Sequence, residues 1–375
     1  MSVGLSFGSI TSGTGIDVDA TVSQILAIQQ AVETPWKNQL TALQSQDTAL
    51  STIGSDLSTL SSALLTLTDF TGVFAAKQGS SSNTDVLQLT SASTAATSGS
   101  HAITVTSLAQ TSSDYSSVIA NSSDTLSGSL TIQVGGGSAQ TITVDSNSNT
   151  LSSLMAAING ASIGVKASII KDSSGSRLSL VSATSGAAGQ ITMSSTLQDD
   201  TSGTALSFIQ GQQGKDAQLN VDGLDVTTSS NTVSDVIPGV TFQLLATSSQ
   251  PVQVQITNDN ASIESAMNSF VTAYNKVVGD IASQEGKDSS GNAEPLYGSP
   301  TLALLQSQLS SALLGGSASG TINNIGQLGL SLNRDGTLSF DSSQMEAALD
   351  SSFDDVMGYM QNAKSFGQTM TGALN

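Results

Sequence analysis

The chain has 375 residues, enough for two to four domains, and 38% of them are hydrophobic, which suffices to build buried cores. Ten basic residues face 29 acidic ones, a formal net charge of −19, which argues against nucleic acid and anionic membrane surfaces as partners. Cysteine is absent, so disulfides and cysteine-ligated metals are excluded.

The N-terminal stretch carries no recognisable targeting signal. Residues 1–15 lack the basic and apolar regions of a cleaved secretory peptide, and the chain contains no run of about 18 apolar residues. We therefore expect no membrane insertion and, if the protein is exported, a route that reads an uncleaved N-terminus. Residues 1–34 are predicted to be a terminal segment that is disordered or helical in the free monomer.

Within that segment, Asp17 and Asp19 precede an apolar stripe, as is typical of a helix N-terminus. The stripe consists of Val18, Val22, Ile25 and Leu26, and we consider it a candidate contact with other subunits. Pro35 then predicts an interruption, with Thr34 as the N-cap of a second, longer helix that runs to about residue 68.

Two long helices with heptad spacing are predicted near the two ends of the chain. In the first, residues 35–68, the candidate core positions are Leu43, Leu50, Ile53, Leu57, Leu60 and Leu64. In the second, which begins at Asp259, they are Ile263, Met267, Phe270, Tyr274, Val277 and Ile281. Because both seams are narrow and apolar, we expect the two helices to pack against each other.

Between the helices, the apolar residues alternate with polar ones, which predicts strands. Residues 79–127 and 213–257 are predicted to form one β-rich domain, with residues 109–127 as a polar joint. Residues 128–212 read as an inserted hairpin–helix–hairpin unit, its helix capped by Asn149. Asp222-Gly223 is a strong hairpin signal.

The C-terminal part is predicted to be mainly helical. A helix begins at Ser299-Pro300, a small hairpin turns at Asp335-Gly336, and a last helix carries Met345 to Met360. The predicted fold class is therefore α+β and multidomain. Residues 35–78 and 258–375 build a discontinuous helical, coiled-coil-like rod from both chain ends, and the two β-rich domains are nested in it as outer domains.

Several residues that could suggest chemistry have simpler explanations. His101, the only histidine, has no partner nearby in sequence, whereas a zinc site needs three or four ligands. Gly135–Gly137 joins two strands and lacks the ending of a phosphate loop. The 287–294 loop departs from the calcium-loop pattern, and solvation explains the pairs Asp199-Asp200 and Asp354-Asp355. We expect no catalytic site, cofactor or metal.

Four stretches resemble the flagellar hook-associated protein 2 family, the filament cap. They are GIDVDATVSQILAIQQAVETP at 15–35, GSHAITVTSLAQ at 99–110, residues 216–245 followed by FVTAYNKVV at 270–278, and IGQLGLSLNRDGTLSFDSSQMEAAL at 325–349. Residues 130–161 and 164–186 also resemble a repeat of flagellar axial proteins. The resemblance covers most of the chain from 15 to about 362.

The resemblance implies a homo-oligomeric ring at the filament tip that retains exported flagellin and promotes its polymerisation. It further implies flagellin, the junction proteins, and the type III export apparatus with its chaperone as partners, and an extracellular location at the flagellum tip. Some members of the family also bind host mucin. Such proteins usually continue into a longer C-terminal helical segment, so this chain is expected to be either a short form or a truncated one.

Two alternatives stay open at this stage. Another axial protein, flagellin or a junction protein, would end in a long amphipathic helix similar to its first one, whereas the 216–278 and 325–349 stretches favour the cap family. An exported adhesin would use the strand domains to bind glycans, and deleting it would leave filament assembly intact.

Overall fold

The computed structural model describes residues 18–145 and 149–374. Its six helices are α1 (Val18–Thr68), α2 (Leu151–Gly160), α3 (Asn260–Gln284), α4 (Pro300–Leu313), α5 (Ser342–Gln361) and α6 (Phe366–Leu374). Short 3-10 turns lie at Ala187–Gly189 and Ile325–Leu328. The mixture of helices and sheets in several domains confirms the predicted fold class. No helix in the described ranges is long and apolar enough to cross a membrane.

Twenty strands are described, and they are numbered here in chain order. The first ten are β1 (Lys77–Ser81), β2 (Leu87–Ala92), β3 (Gly99–Ser107), β4 (Thr111–Ser116), β5 (Leu126–Ser127), β6 (Ser129–Val134), β7 (Gln140–Thr143), β8 (Val165–Asp172), β9 (Gly175–Ser185) and β10 (Ile191–Ser195). The others are β11 (Gln198–Asp199), β12 (Thr204–Ala205), β13 (Phe208–Gln212), β14 (Ala217–Val221), β15 (Leu224–Thr228), β16 (Thr232–Val233), β17 (Val240–Leu244), β18 (Val252–Asn258), β19 (Leu330–Leu332) and β20 (Leu338–Phe340).

The chain divides into two compact units, residues 1–75 with 259–375, and residues 76–258. The first unit is helical, and its core lies where α1, α3, α4, α5 and α6 meet. Every α3 seam residue predicted from the sequence is buried there. From α1 the core receives Ile53, Leu60, Leu64 and Leu67, with Leu57 partly buried beside them.

Helix α6 was not predicted from the sequence. It contributes Phe366 and Met370 to the core, and the Phe366 ring stacks on Tyr359 with centroids 5.7 Å apart. Its few apolar residues lie among Gly, Thr and Gln, so the sequence carries only a short periodic signal.

The predicted interruption at Pro35 is wrong, because α1 runs unbroken through it. Proline has no N–H, so the helix lacks one backbone hydrogen bond at this turn. Thr34 does not cap a helix. Its Oγ1 donates to the carbonyl of Gln30, 2.7 Å away, one turn earlier in the same helix.

The second unit contains two hydrophobic cores. One lies between the five-stranded sheet β1-β18-β3-β14-β15 and the three-stranded sheet β16-β17-β2. Asp222 and Gly223 both have positive φ at the β14–β15 turn, as the Asp-Gly signal predicts. The alternation of buried and exposed residues along β17 and β18 places one face of each strand in this core.

The other core is formed by helix α2 and three sheets, ordered β13-β4-β9-β8, β10-β6-β7 and β12-β11-β5. Thr150, rather than the predicted Asn149, is the N-cap of α2, and it forms a capping box with Ser153. Residues 109–127 are not a polar joint, since β4 lies inside the first of these sheets. The inward side chains of β4 are Ser112, Asp114 and Ser116. Because all three are polar, the sequence of β4 lacks the alternation of apolar residues that predicts a half-buried strand.

Asp114 is an unusual member of this core. Its side chain faces inward beside Leu180 and is 6% exposed, and its Oδ2 is sealed from solvent without a hydrogen-bond partner. Burial raises the pKa of Asp114 because the charged form is desolvated. Neither β13 nor β4 itself contributes another charged residue, and Arg177 of β9 faces the opposite side of the sheet.

We expect the packing of α1 in the helical core to be the main support of the first unit. Replacing the fully buried Leu60 by Ala should lower the free energy of unfolding by about 2–5 kcal/mol, because it removes methyl groups and leaves a cavity. The matched change Leu65→Ala, at an exposed position of the same helix, should cost less than about 0.5 kcal/mol. Urea unfolding followed by circular dichroism measures both, and equal losses would contradict the assignment.

The Asp114 carboxyl should make stability depend on pH. Its pKa is raised in the folded state, so the native chain binds more protons than the unfolded one at this site. The stabilisation that this shift provides is fully present below the pKa of Asp114 in the unfolded chain. It is lost as pH rises through the pKa of Asp114 in the folded chain. We therefore expect Asp114→Asn to flatten the decline in unfolding free energy that sets in as pH rises above the unfolded pKa of about 3.9.

Asp172, on the same sheet, provides a control because folding shifts its pKa in the opposite direction. A hydrogen bond from the Ser174 hydroxyl lowers the pKa of Asp172, so its contribution is present above the unfolded pKa and lost as pH falls. Asp172→Asn should therefore leave the decline at rising pH in place. An Asp114→Asn variant with the wild-type pH profile would show that Asp114 is not the group responsible.

Candidate functional site

One seven-residue register runs along the whole of α1, and only its C-terminal part is covered. From Ile53 onward the seam packs into the helical core. Before that point its apolar positions are exposed, and they are Val22, Ile25, Val32, Trp36, Leu43 and Leu50, flanked by Leu26 and Leu40. We refer to these eight residues as the outer seam. Gln29, Gln39 and Gln46 occupy the remaining positions of the register in this part.

The outer seam includes most of the contacts proposed from the sequence and two residues proposed as core. Val22, Ile25 and Leu26 are exposed, as a contact with another subunit requires. Val18 begins α1, but its side chain lies outside the described residues, as do residues 1–17. Leu43 and Leu50 do not lie in the core, because they are 55% and 47% exposed.

The part of α1 before Leu50 has almost no tertiary support. From Val22 to Gln44 every residue except the half-buried Ile28 is exposed. Most of the stability of a helix in a protein comes from tertiary packing of its apolar face, which these turns lack, and Pro35 removes a further hydrogen bond. A segment of this kind is stabilised mainly by whatever packs on its apolar stripe.

The polar side of α1 offers little to a partner. Thr41, Ser45, Thr48 and Thr52 each donate their hydroxyl to the carbonyl four residues earlier, at 2.9–3.0 Å. The Glu33–Lys37 pair, 3.0 Å apart, is exposed, and such pairs contribute less than about 1 kcal/mol. Since these groups already bond within the helix, the outer seam is the main apolar surface that this part of α1 offers to a partner.

The outer seam continues into a groove beside α4. Leu50, Gly54 and Leu57 line one wall, and Leu304 and Leu305 line the other, around a volume of about 310 Å³. A Cβ atom built on Gly54 would meet nothing within 4 Å, so the groove is open there. An apolar stripe, broken only at the three glutamines of the register, therefore runs from the groove along the exposed turns of α1.

Charges mark the place where α1 enters the core. Lys276 Nζ of α3 lies 3.2 Å from Asp56 Oδ2 and 2.5 Å from Asp280 Oδ2. The hydrogen bond between the two carboxyl groups raises the pKa of Asp56 and lowers that of Asp280. This cluster ties α1 to α3 and fixes the helical register from which the outer seam projects.

The other residues singled out from the sequence serve local structure. His101 Nδ1 lies 2.7 Å from Asp222 Oδ2, which joins β3 to the β14–β15 turn. Asp288 accepts hydrogen bonds from the backbone N–H groups of Ser290 and Asn292 within its loop. In the described ranges, no three His, Cys, Asp or Glu residues are grouped so that they could hold a metal ion.

Asp199 and Asp355 hold turns in the same way. Asp199 accepts from the backbone of Thr201, and Asp355 accepts from the backbone and hydroxyl of Thr321. Gly135 has a φ of +52°, and a Cβ there would lie 2.1 Å from the Ala188 carbonyl oxygen, so this glycine serves a close backbone approach.

Sequence reasoning missed part of the outer seam. Val32, Trp36 and Leu40 are not among the contacts that the sequence predicts, because Pro35 predicts two separate helices. The signal that could have found them is the heptad register itself, which passes through Pro35 without a shift from Val22 to Leu64.

Family models match most of the chain. The flagellar hook-associated protein 2 N-terminus model matches residues 14–112 and the C-terminus model residues 214–375, and the flagellin hook IN motif matches 129–184. The B-type flagellar hook-associated protein 2 of Pseudomonas aeruginosa is 32% identical over 330 residues, 80% of this chain and 69% of that protein. The chain belongs to the flagellar hook-associated protein 2 family.

Further comparisons give the same family. The flagellar hook-associated protein 2 of Escherichia coli K12 is 30% identical over 371 residues, covering 92% of this chain and 78% of that protein. The crystal structure of the D1-D2-D3 domains of the Escherichia coli flagellar cap protein FliD matches with a TM-score of 0.67 and 27% identity. It covers 87% of this chain and 95% of the crystallised one. The cap function predicted from the sequence is thereby confirmed over flagellin, a junction protein or an adhesin.

Trp36, the only tryptophan of the chain, reports on the outer seam directly. It is 71% exposed, so its fluorescence should be quenched by acrylamide almost as strongly as that of free tryptophan. Addition of a partner that covers the seam should shift its emission to shorter wavelength and protect it. Emission that is already shifted and protected in the monomeric chain would contradict an uncovered seam.

Proposed function

We propose that the chain forms a homo-oligomeric ring at the tip of the flagellar filament, where it retains exported flagellin and promotes its polymerisation. The outer seam of α1 is the surface that grips neighbouring subunits. The observation that carries this proposal is a helix with eight large apolar side chains exposed and no covering element in the described parts of the chain.

The energetics of the outer seam suit a contact that forms and exchanges. Burying one Leu, Ile or Val side chain contributes about 1.5–3 kcal/mol, so a few of them can drive association. Holding the poorly supported turns of α1 in one conformation costs conformational entropy. Much of the gain is therefore offset, and the net affinity stays low enough for a cap that must shift each time a subunit is added.

Glutamines in the register support an exchangeable contact rather than a permanent one. Gln29, Gln39 and Gln46 interrupt the apolar surface, and buried polar residues at such positions lower stability while they fix the register. Gln46 already donates from Nε2 to the carbonyl of Pro295, 3.0 Å away. Gln29 and Gln39 remain exposed and can pair with a partner helix.

The remaining partners follow from the same function. A cap at the growing tip meets flagellin and rests initially on the junction proteins. It reaches the cell exterior through the type III export apparatus with its chaperone, and we propose that this export uses no cleaved signal peptide. We place the protein outside the cell, at the flagellum tip.

A paired charge insertion tests the role of the outer seam. Ile25→Asp/Leu26→Asp should leave the protein exported but unable to retain flagellin, because two charges in an apolar contact are costly to bury. We expect flagellin monomer in the medium and loss of swimming. The measurements are a soft-agar motility assay and immunoblots of the medium for flagellin and for this protein.

The matched control is Gln24→Asp/Gln30→Asp, which adds the same charge to the same helix at exposed polar positions. It should swim as the wild type does. Normal filaments and swimming in the Ile25→Asp/Leu26→Asp strain would show that the stripe is not a contact with neighbouring subunits. Absence of that variant from the medium would assign the stripe to export instead.

A further inference from the structure

Strand β10 runs beside the inner face of β4. It is the edge strand of its own sheet, β10-β6-β7. At one end the Ile191 N–H donates to the Ser112 hydroxyl, 3.0 Å away. At the other end the Ser195 hydroxyl donates to the carbonyl of Leu206, just ahead of β13, whose first residue pairs with the last residue of β4. We refer to the contact between the two strands as the β4–β10 seam.

Buried hydroxyl groups of β4 satisfy backbone and side-chain donors on both sides of its middle residue. Ser112 Oγ also accepts from Gln190 Nε2 at 3.3 Å, and Ser116 Oγ accepts from the Leu178 N–H at 2.9 Å. Asp114 lies midway between the two serines on the same side of the strand. It is 6% exposed, and its Oδ2 has no hydrogen-bond partner. The middle of the β4–β10 seam therefore holds a carboxyl oxygen that no neighbour satisfies.

The charged form of Asp114 is disfavoured in this place. Burying a carboxylate without a partner is costly, whereas the neutral carboxyl is buried far more easily. Burial raises the pKa of Asp114 for this reason. Opening of the seam would admit water, which hydrates the carboxylate. The closed seam therefore favours the protonated form, and an open seam favours the ionised one.

The described elements around Asp114 bring no cation to it. Strands β6, β10 and β13 and helix α2 contain no titratable side chain. Arg177 of β9 lies over the ring of Tyr115, on the opposite face of the sheet. The three charged residues of β8 are separated from β4 by β9. The buried Asp199 of β11 accepts from the backbone of Thr201 in its own turn.

We propose that Asp114 is a proton-controlled switch of the β4–β10 seam. The seam stays closed while the carboxyl holds its proton, and it opens locally when the proton is lost to water. Residues 111–116 and 191–195 then become exposed to solvent, whereas the other core of the same unit, which contains β17 and β18, stays closed. The switch is a property of the β-rich unit and does not depend on the ring proposed above.

A local switch differs from a general loss of stability in where the chain opens. Global unfolding exposes the amides of both cores of the unit together. Opening of the seam exposes only those near β4 and β10. Amide hydrogen exchange resolved by peptide therefore separates the two cases.

The first test follows hydrogen exchange of the full chain by mass spectrometry, with rates corrected for the intrinsic effect of pH on exchange. It runs from about pH 4.5, just above the unfolded pKa of Asp, to about pH 9. Peptides that cover 111–116 and 191–195 should lose protection by up to tenfold per pH unit, and the loss should level off above the folded pKa of Asp114. Peptides that cover β17 and β18 should keep their protection.

The decisive variant is Asp114→Asn, which keeps the size of the side chain but has no proton to lose. Its seam peptides should show protection that does not change with pH. The matched control is Asp172→Asn, which makes the same change at an exposed position of the same sheet and should behave as the wild type does. Circular dichroism checks that both variants are folded.

A carboxyl titration gives a second, direct measurement. In a chain labelled with ¹³C at the Asp carboxyl groups, the signal that is missing from Asp114→Asn should titrate above the ordinary Asp pKa of about 3.9. Titration at or below that value would overturn the proposal. So would seam peptides of Asp114→Asn that lose protection as the wild type does, or loss of protection in β17 and β18 in step with the seam. If Asp114→Asn does not fold, the wild-type profile still decides, since seam protection that is independent of pH contradicts the switch.

Discussion

The seam between α1 and α3 is the interaction on which the helical unit depends. It brings together Leu60 and Phe270, which lie 210 positions apart in the chain, and residues 76–258 between them fold as a unit of their own. Closing so long a loop costs about 5 kcal/mol of chain entropy. A few fully buried Leu, Ile and Phe side chains offset this cost. The Lys276–Asp56 pair fixes how α1 and α3 are aligned more than it stabilises their packing, because both groups are partly exposed.

Helix α1 serves two purposes with one heptad pattern. Its C-terminal turns are covered within the chain, and its outer seam is not. The physical difference lies in the neighbours rather than in the residues, since Leu43 and Leu64 are the same amino acid at equivalent positions. A cap needs a body that stays folded while its contacts are exchanged. Under the role proposed for the outer seam, the arrangement meets both needs, because the covered turns anchor the helix and the uncovered ones are free to meet other subunits.

The β-rich unit combines apolar cores with several buried Ser and Asp side chains. In β4, Ser112 and Ser116 accept hydrogen bonds from backbone N–H groups of Ile191 and Leu178, so they satisfy donors that the sheets leave unpaired. Asp114 lies between them without a partner. The cores themselves consist mainly of Leu, Ile and Val, which is how a chain with only 4% aromatic residues still builds several distinct cores.

The sequence by itself determined helices α2 to α5, most hairpins and the family, because these follow from local signals. Heptad spacing predicts α3, and Asp222-Gly223 and Asp335-Gly336 predict their turns. Only the tertiary structure decided which half of the α1 seam is covered, that α1 continues through Pro35, and that β4 is a core strand. The reason is physical. Periodicity tells which face of an element is apolar, but burial depends on what else packs there, and a row of serines is tolerated in a core when their hydroxyls accept backbone hydrogen bonds, as in β4.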